Sequence, residues 1–77
     1  MIKNNFRYWR LQLAAQTGKE VTQKEMAKFY QVEYTMYCKW ENTGHIPNGN
    51  QLLTMWLFLV KFFPNANMQD LLIYPKE

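Results

Sequence analysis

Residues Val21–Pro47, VTQKEMAKFYQVEYTMYCKWENTGHIP, decide the architecture of this chain. Thr22 followed three residues later by Glu25 is a capping-box pattern, in which the hydroxyl accepts from the Glu25 amide and the carboxylate reaches back to the Thr22 amide. A helix therefore starts at Gln23, with Met26, Ala27 and Tyr30 as its inner stripe and Lys24, Lys28 and Gln31 elsewhere on the cylinder. Gln31-Val32-Glu33 supplies a turn. Tyr34 to Glu41 reads as a second short helix whose Tyr37 and Trp40, at i and i+3, face inward. Asn42-Thr43-Gly44 ends it, and Pro47, which restricts Ile46, makes His45 to Pro47 an extended connection.

Working outward, apolar residues recur at Phe6, Trp9, Leu11, Leu13 and Ala14 with Arg7 and Arg10 between them, which fits an amphipathic first helix from Asn5 to about Gln16. Thr17 and Gly18 stop it, and Lys19-Glu20 leads on to Thr22. Beyond Pro47, Asn48 with Gln51 starts a fourth helix running to about Phe62, before Pro64. Asn67 with Asp70 repeats the cap pattern ahead of a short fifth helix through Leu71, Leu72 and Ile73. The chain has no internal repeat, no low-complexity run and no sustained period-two alternation. The expectation is an all-α, five-helix domain occupying residues 1–77.

Composition narrows the class. With 48% hydrophobic and 17% aromatic residues in 77, the chain is too apolar for disorder and long enough for one modest core. Nine Lys and Arg against six Asp and Glu give +3, which permits attraction to a polyanion without demanding it. Cys38 is the only cysteine, so an internal disulfide is impossible and a reducing, cytoplasmic setting is expected. The start, MIKNNFRYWR, lacks an apolar signal core, and the run Leu52 to Phe63 is too short to span a bilayer and is interrupted by Thr54 and Lys61. No membrane association is expected.

A helix-turn-helix needs a small residue inside its first helix, a chain reversal within about three residues, and apolar residues on the inner face of the second. Ala27, Gln31 to Glu33, and Tyr37 with Trp40 fill those roles, placing the motif at about 22–42. At these residues the chain resembles the lambda-repressor-like family, the Cro/C1 or XRE type, whose members show an L-T-Q-x-E-L-A segment, a G-V-S turn, and W-E followed shortly by Pro. The matching pieces here are Val21-Thr22-Gln23-Lys24-Glu25-Met26-Ala27, Gln31-Val32-Glu33, Trp40-Glu41 and Pro47. Phe6-Arg7-Tyr8-Trp9-Arg10 is similar to the family's L-R-x-L-R first helix, and Leu52-Leu53 and Asp70-Leu71-Leu72 extend the likeness over nearly the whole chain. The resemblance implies a structural ion pair between Arg10 and Glu41. Three features depart from the family. Gln31 replaces the turn glycine, at a cost of roughly 1 kcal/mol if the backbone stays left-handed, unless the turn is reshaped. Glu33 replaces a Ser or Thr cap, which suits the helix dipole but opposes phosphate. The first and fourth helices look longer than is usual.

The resemblance implies a small phage or mobile-element transcriptional regulator that occupies operator DNA. Base contacts would fall at the outward positions Glu33, Tyr34, Thr35, Cys38 and Lys39, and phosphate contacts at Thr22 and Gln23 and at Asn42 and His45. Of the first set only Lys39 donates strongly to a guanine edge, while Thr35 and Tyr34 suit a thymine methyl or a phosphate. The alternative is an antirepressor that grips a repressor's DNA-binding domain, with Tyr34 and Met36 as protein contacts. The fourth helix is apolar nearly all the way round, so Trp56, Leu57 and Phe58 form a candidate homodimer interface, unless the lengthened first helix, through Trp9 and Leu13, covers them. His45 has no second ligand near it in sequence and Cys38 no His partner, so no metal, no cofactor and no enzymatic activity is expected.

Overall fold

The computed structural model describes residues 2–73 and is mostly helical: β1 (Lys3–Asn4), α1 (Phe6–Thr17), α2 (Gln23–Tyr30), α3 (Tyr34–Thr43), α4 (Gly49–Leu59), a 3₁₀ turn (Met68–Leu71) and β2 (Leu72–Ile73). The helix boundaries follow local chemistry. Asn48 accepts from the Gln51 amide and the Gln51 side chain returns to the Asn48 amide, as Thr22 and Glu25 do at the head of α2. At the other ends, Gly18 and Gly44 take left-handed conformations, and their amides donate to Ala14 and Trp40 respectively.

Inner faces of all four helices meet in one core. Phe6, Trp9 and Leu13 come from α1, Met26, Ala27 and Tyr30 from α2, Tyr37 and Trp40 from α3, and Met55 and Leu59 from α4. Side chains as fully buried as Leu13, Met55 and Leu59 are each worth about 1.5–3 kcal/mol relative to exposure. The aromatic residues pack in two groups, one around Tyr37 and one around Trp9. Phe6 stacks on Tyr37 at 6.2 Å, Tyr30 lies 5.9 Å from Tyr37 and 5.6 Å from Phe58, and Trp9 meets Phe63 at 5.2 Å. Leu11, part of the expected apolar pattern, faces solvent. No helix among the described residues is long and apolar enough to cross a membrane.

The expected count of five helices is corrected to four α-helices among the described residues. Asn67 and Asp70 do bond to each other, amide to carboxylate at 2.9 Å, but only a single 3₁₀ turn follows. The carbonyls that would continue a helix are taken elsewhere: Asp70 O accepts from the Trp9 indole at 2.9 Å and Leu71 O from the Asn5 amide at 2.6 Å. Leu72 and Ile73 then pair antiparallel with Asn4 and Lys3, forming a two-stranded sheet that the sequence pattern did not announce. The fourth helix also stops at Leu59 rather than about Phe62. A turn through Phe62 follows, in which the amides of Phe62 and Phe63 both donate to Leu59 O, and it lays Phe62 and Phe63 against the core ahead of Pro64.

Candidate functional site

Three residues separate α2 from α3. Gln31 adopts φ 59, ψ 42, a left-handed position filled by a side-chain-bearing residue, so the turn keeps its geometry without glycine. Its amide donates to the carbonyls of Ala27 and Lys28, and the Val32 amide donates to Ala27 O at 2.9 Å. Glu33 is extended and makes no side-chain cap bond, while its carbonyl accepts the first helical bond of α3 from the Tyr37 amide at 2.9 Å. The carboxylate of Glu33 therefore stands exposed at the positive end of α3.

On α3 the inner residues Tyr37 and Trp40 are buried, and the outer residues Tyr34, Thr35, Met36, Lys39, Asn42 and Thr43 are exposed, Tyr34 by 48% and Met36 by 40%. A depression of about 360 Å³ lined by Met36, Lys39, Trp40, His45 and Gln51 borders this face where α3 meets the start of α4. Thr22, Asn42 and His45 are exposed, His45 lining this depression, although the Thr22 hydroxyl already caps α2, accepting from the Glu25 amide at 3.1 Å.

Two expected contact residues are engaged inside the molecule. Cys38 is half-buried and its thiol donates to Gln23 Oε1 at 3.2 Å, so neither side chain is free on the outer surface. The reason is the crossing of the two helices, which turns the first residue of α2 toward the middle of α3. Through this contact Gln23 ties the start of α2 to α3.

Beneath α3 lies an ion pair. Arg10 Nη2 donates to Glu41 Oε1 at 2.8 Å, Arg10 Nε bridges both carboxylate oxygens at 3.2 Å, and Arg10 Nη1 donates to Val21 O at 3.1 Å. The side chains are 17% and 2% exposed respectively. Burial alone would raise the Glu41 carboxyl, but the hydrogen bonds from Arg10, with the polar groups of Tyr37 and Gln23 close by, hold it below its ordinary value. One guanidinium thus fastens α1 to the end of α3 and to the segment entering α2. The hydroxyls of Tyr30 and Tyr37 are buried beside this pair without a hydrogen bond of ordinary length among the described residues, and burial pushes both phenols well above their usual range.

Asn4 is a structural tie that sequence reasoning missed. Only 7% exposed, it donates through Nδ2 to Trp40 O at 2.7 Å and to His45 O at 2.6 Å, and its own amide donates to Gly44 O at 3.1 Å. Its Oδ1 accepts from the Phe6 amide at 3.2 Å. One side chain therefore adds a second bond to the Trp40 carbonyl near the end of α3, holds the His45 carbonyl of the following loop, and caps the entry to α1. An asparagine outside any recognisable helix start carries no pattern that predicts this.

The candidate interface on α4 is reduced to Leu57. Trp56 is half-buried and its indole donates to Ala66 O at 2.9 Å. Phe58 is half-buried too, stacked on Phe29 at 5.2 Å and tilted against Phe62 at 5.3 Å. What α4 leaves outward is Leu57, 50% exposed, and Leu53 one turn before it, 43% exposed. Trp56 is covered by the segment after α4 through Ala66, and Phe58 by α2 through Phe29 and Tyr30 and by Phe62. Comparison with protein-family models, curated proteins and solved structures found no match to this chain.

Proposed function

We propose that the chain is a helix-turn-helix domain of the lambda-repressor-like type, a small phage or mobile-element regulator of transcription that occupies operator DNA with α3 in the major groove. The observation that carries this reading is the uncovered outer face of α3 on a helix held rigidly from beneath. Tyr37 and Trp40 anchor it in the core, and the Arg10–Glu41 pair fixes its end. A rigid, solvent-facing helix of ten residues, Tyr34–Thr43, has the dimensions of a groove reader. Lys39 supplies a base-edge donor, while Thr22, Asn42 and His45 flank it as backbone contacts. Pairing of two copies would span two half-sites.

A second reading is favoured by a specific feature of the same face. Tyr34 and Met36 are large, apolar and exposed, and Glu33 puts a negative charge where phosphate would approach. Those residues suit a protein partner, such as a repressor's DNA-binding domain gripped by an antirepressor. The deciding experiment titrates the purified protein against the DNA flanking its gene, with and without the adjacent gene's product. DNA binding that weakens steeply with salt supports the first reading. Absence of DNA binding together with a stoichiometric complex with the neighbouring protein replaces it with the second.

A further inference from the structure

The C-terminal end of α3 is not bare: the aliphatic stem of Lys3 lies across it. A Cβ placed on Gly44 would meet Cβ, Cγ and Cδ of Lys3 at 3.2 Å, so the lysine stem occupies the space that the glycine leaves. The backbone around Lys3 is fixed from two sides. Asn4, the next residue, is held by Trp40 O, His45 O and Gly44 O, and Lys3 itself pairs with Ile73 in the sheet. Lys3 is exposed and forms no ion pair among the described residues. With Thr43 and His45 it borders a shallow depression beside the end of α3.

We infer that Lys3 is a further phosphate-contacting residue, a cation delivered by the β1 segment to the DNA backbone flanking the C-terminal end of α3. The inference deepens the DNA-binding reading and rests on it. Its physical sense is that α3 carries only Lys39 as an unpaired cation, with Glu33 opposing phosphate at the other end. A lysine immobilised by its stem keeps a charged tip in solvent while losing less freedom on binding than a loose one. Phosphate neutralisation carries no sequence information, so Lys3 adds affinity on any duplex.

The test measures binding of the full chain to its flanking DNA and to a random duplex of equal length over a range of salt. Three variants are compared with the original: Lys3→Gln, Lys3→Arg, and Lys61→Gln as a control beyond the end of α4. Removing one phosphate contact lowers the slope of log affinity against log salt by about 0.9, which is roughly an eightfold loss at about 0.1 M salt. Lys3→Gln should show that loss on both duplexes, with Lys3→Arg and Lys61→Gln close to the original. If the original chain binds DNA and Lys3→Gln keeps the same slope, the role of Lys3 is refuted while the DNA reading stands. If the original chain binds neither duplex even at low salt, both fall together.

Discussion

Gln31 sits at φ 59, where a residue with a Cβ is disfavoured by roughly 1 kcal/mol relative to glycine. Gln31→Gly should therefore raise stability by about 0.5–1 kcal/mol, the gain being trimmed by the greater freedom of glycine in the unfolded chain. Urea denaturation checks this, and a loss of stability would show that the Gln31 side chain makes a contribution its exposure does not reveal. At Glu41 the argument is electrostatic. Its folded carboxyl lies below its ordinary value, so the folded state holds fewer protons than the unfolded state in acid. The stabilisation is complete above the unfolded carboxyl pKa of about 4.3 and is lost as pH falls through the lower folded value. Glu25, held down by hydrogen bonds from the Thr22 amide and hydroxyl, acts in the same direction at the surface. Glu41→Gln should cost about 2–3 kcal/mol near pH 7, less than the roughly 3–5 kcal/mol of a fully buried broken pair because Arg10 retains some solvent. It should also flatten the acid limb of the stability profile measured between about pH 6 and 3. The capping residues and the inward aromatics were legible in the sequence because each depends on neighbours three or four positions away. The engagement of Gln23 with Cys38 was not, since it depends on how two helices cross.

At the scale of elements, α3 is a short rod whose inner face is committed and whose outer face is available. Substitutions on the outer face should leave folding within about 0.5 kcal/mol of the original, since they remove no buried contact. They therefore separate the two functional readings cleanly. Under the DNA reading Lys39→Ala weakens binding several-fold, while Tyr34→Ala and Met36→Ala have smaller effects; under the protein-partner reading the order is reversed. Electrophoretic mobility shift and calorimetric titration of the same three variants give the ranking. The fourth helix shows why element length is hard to read from apolar pattern alone. Leu52 to Phe63 is continuously apolar apart from Thr54 and Lys61, yet the helix stops at Leu59 because Phe62 and Phe63 find better burial by folding back over the core than by continuing outward. The fifth helix fails for a related reason, its carbonyls being claimed by Trp9 and Asn5.

Taken whole, the molecule has a Cα radius of gyration of 11.8 Å and pairs β1 with β2 beside the C-terminal end of α3. This pairing couples β1 to the candidate surface, so a change at Asn4 or Lys3 acts there. The outward pair Leu53 and Leu57 is the part of α4 that a second copy would cover if the chain dimerises. Sedimentation equilibrium should then find a dimer, and replacing both leucines by lysine should yield a folded monomer that, under the DNA reading, binds DNA more weakly. A concentration-independent monomer in the original chain removes the dimer. What the amino-acid order alone determined were the starts of α2 and α4, the stops at Gly18 and Gly44, and the inward residues of α2 and α3, because capping boxes, left-handed stops and three-to-four-residue spacing are local interactions. The lysine at the foot of α3, the asparagine staple, the terminal sheet and the covering of Trp56 and Phe58 were decided only by tertiary structure. Each joins residues far apart along the chain, and nothing in their immediate sequence neighbours encodes a partner that only packing supplies.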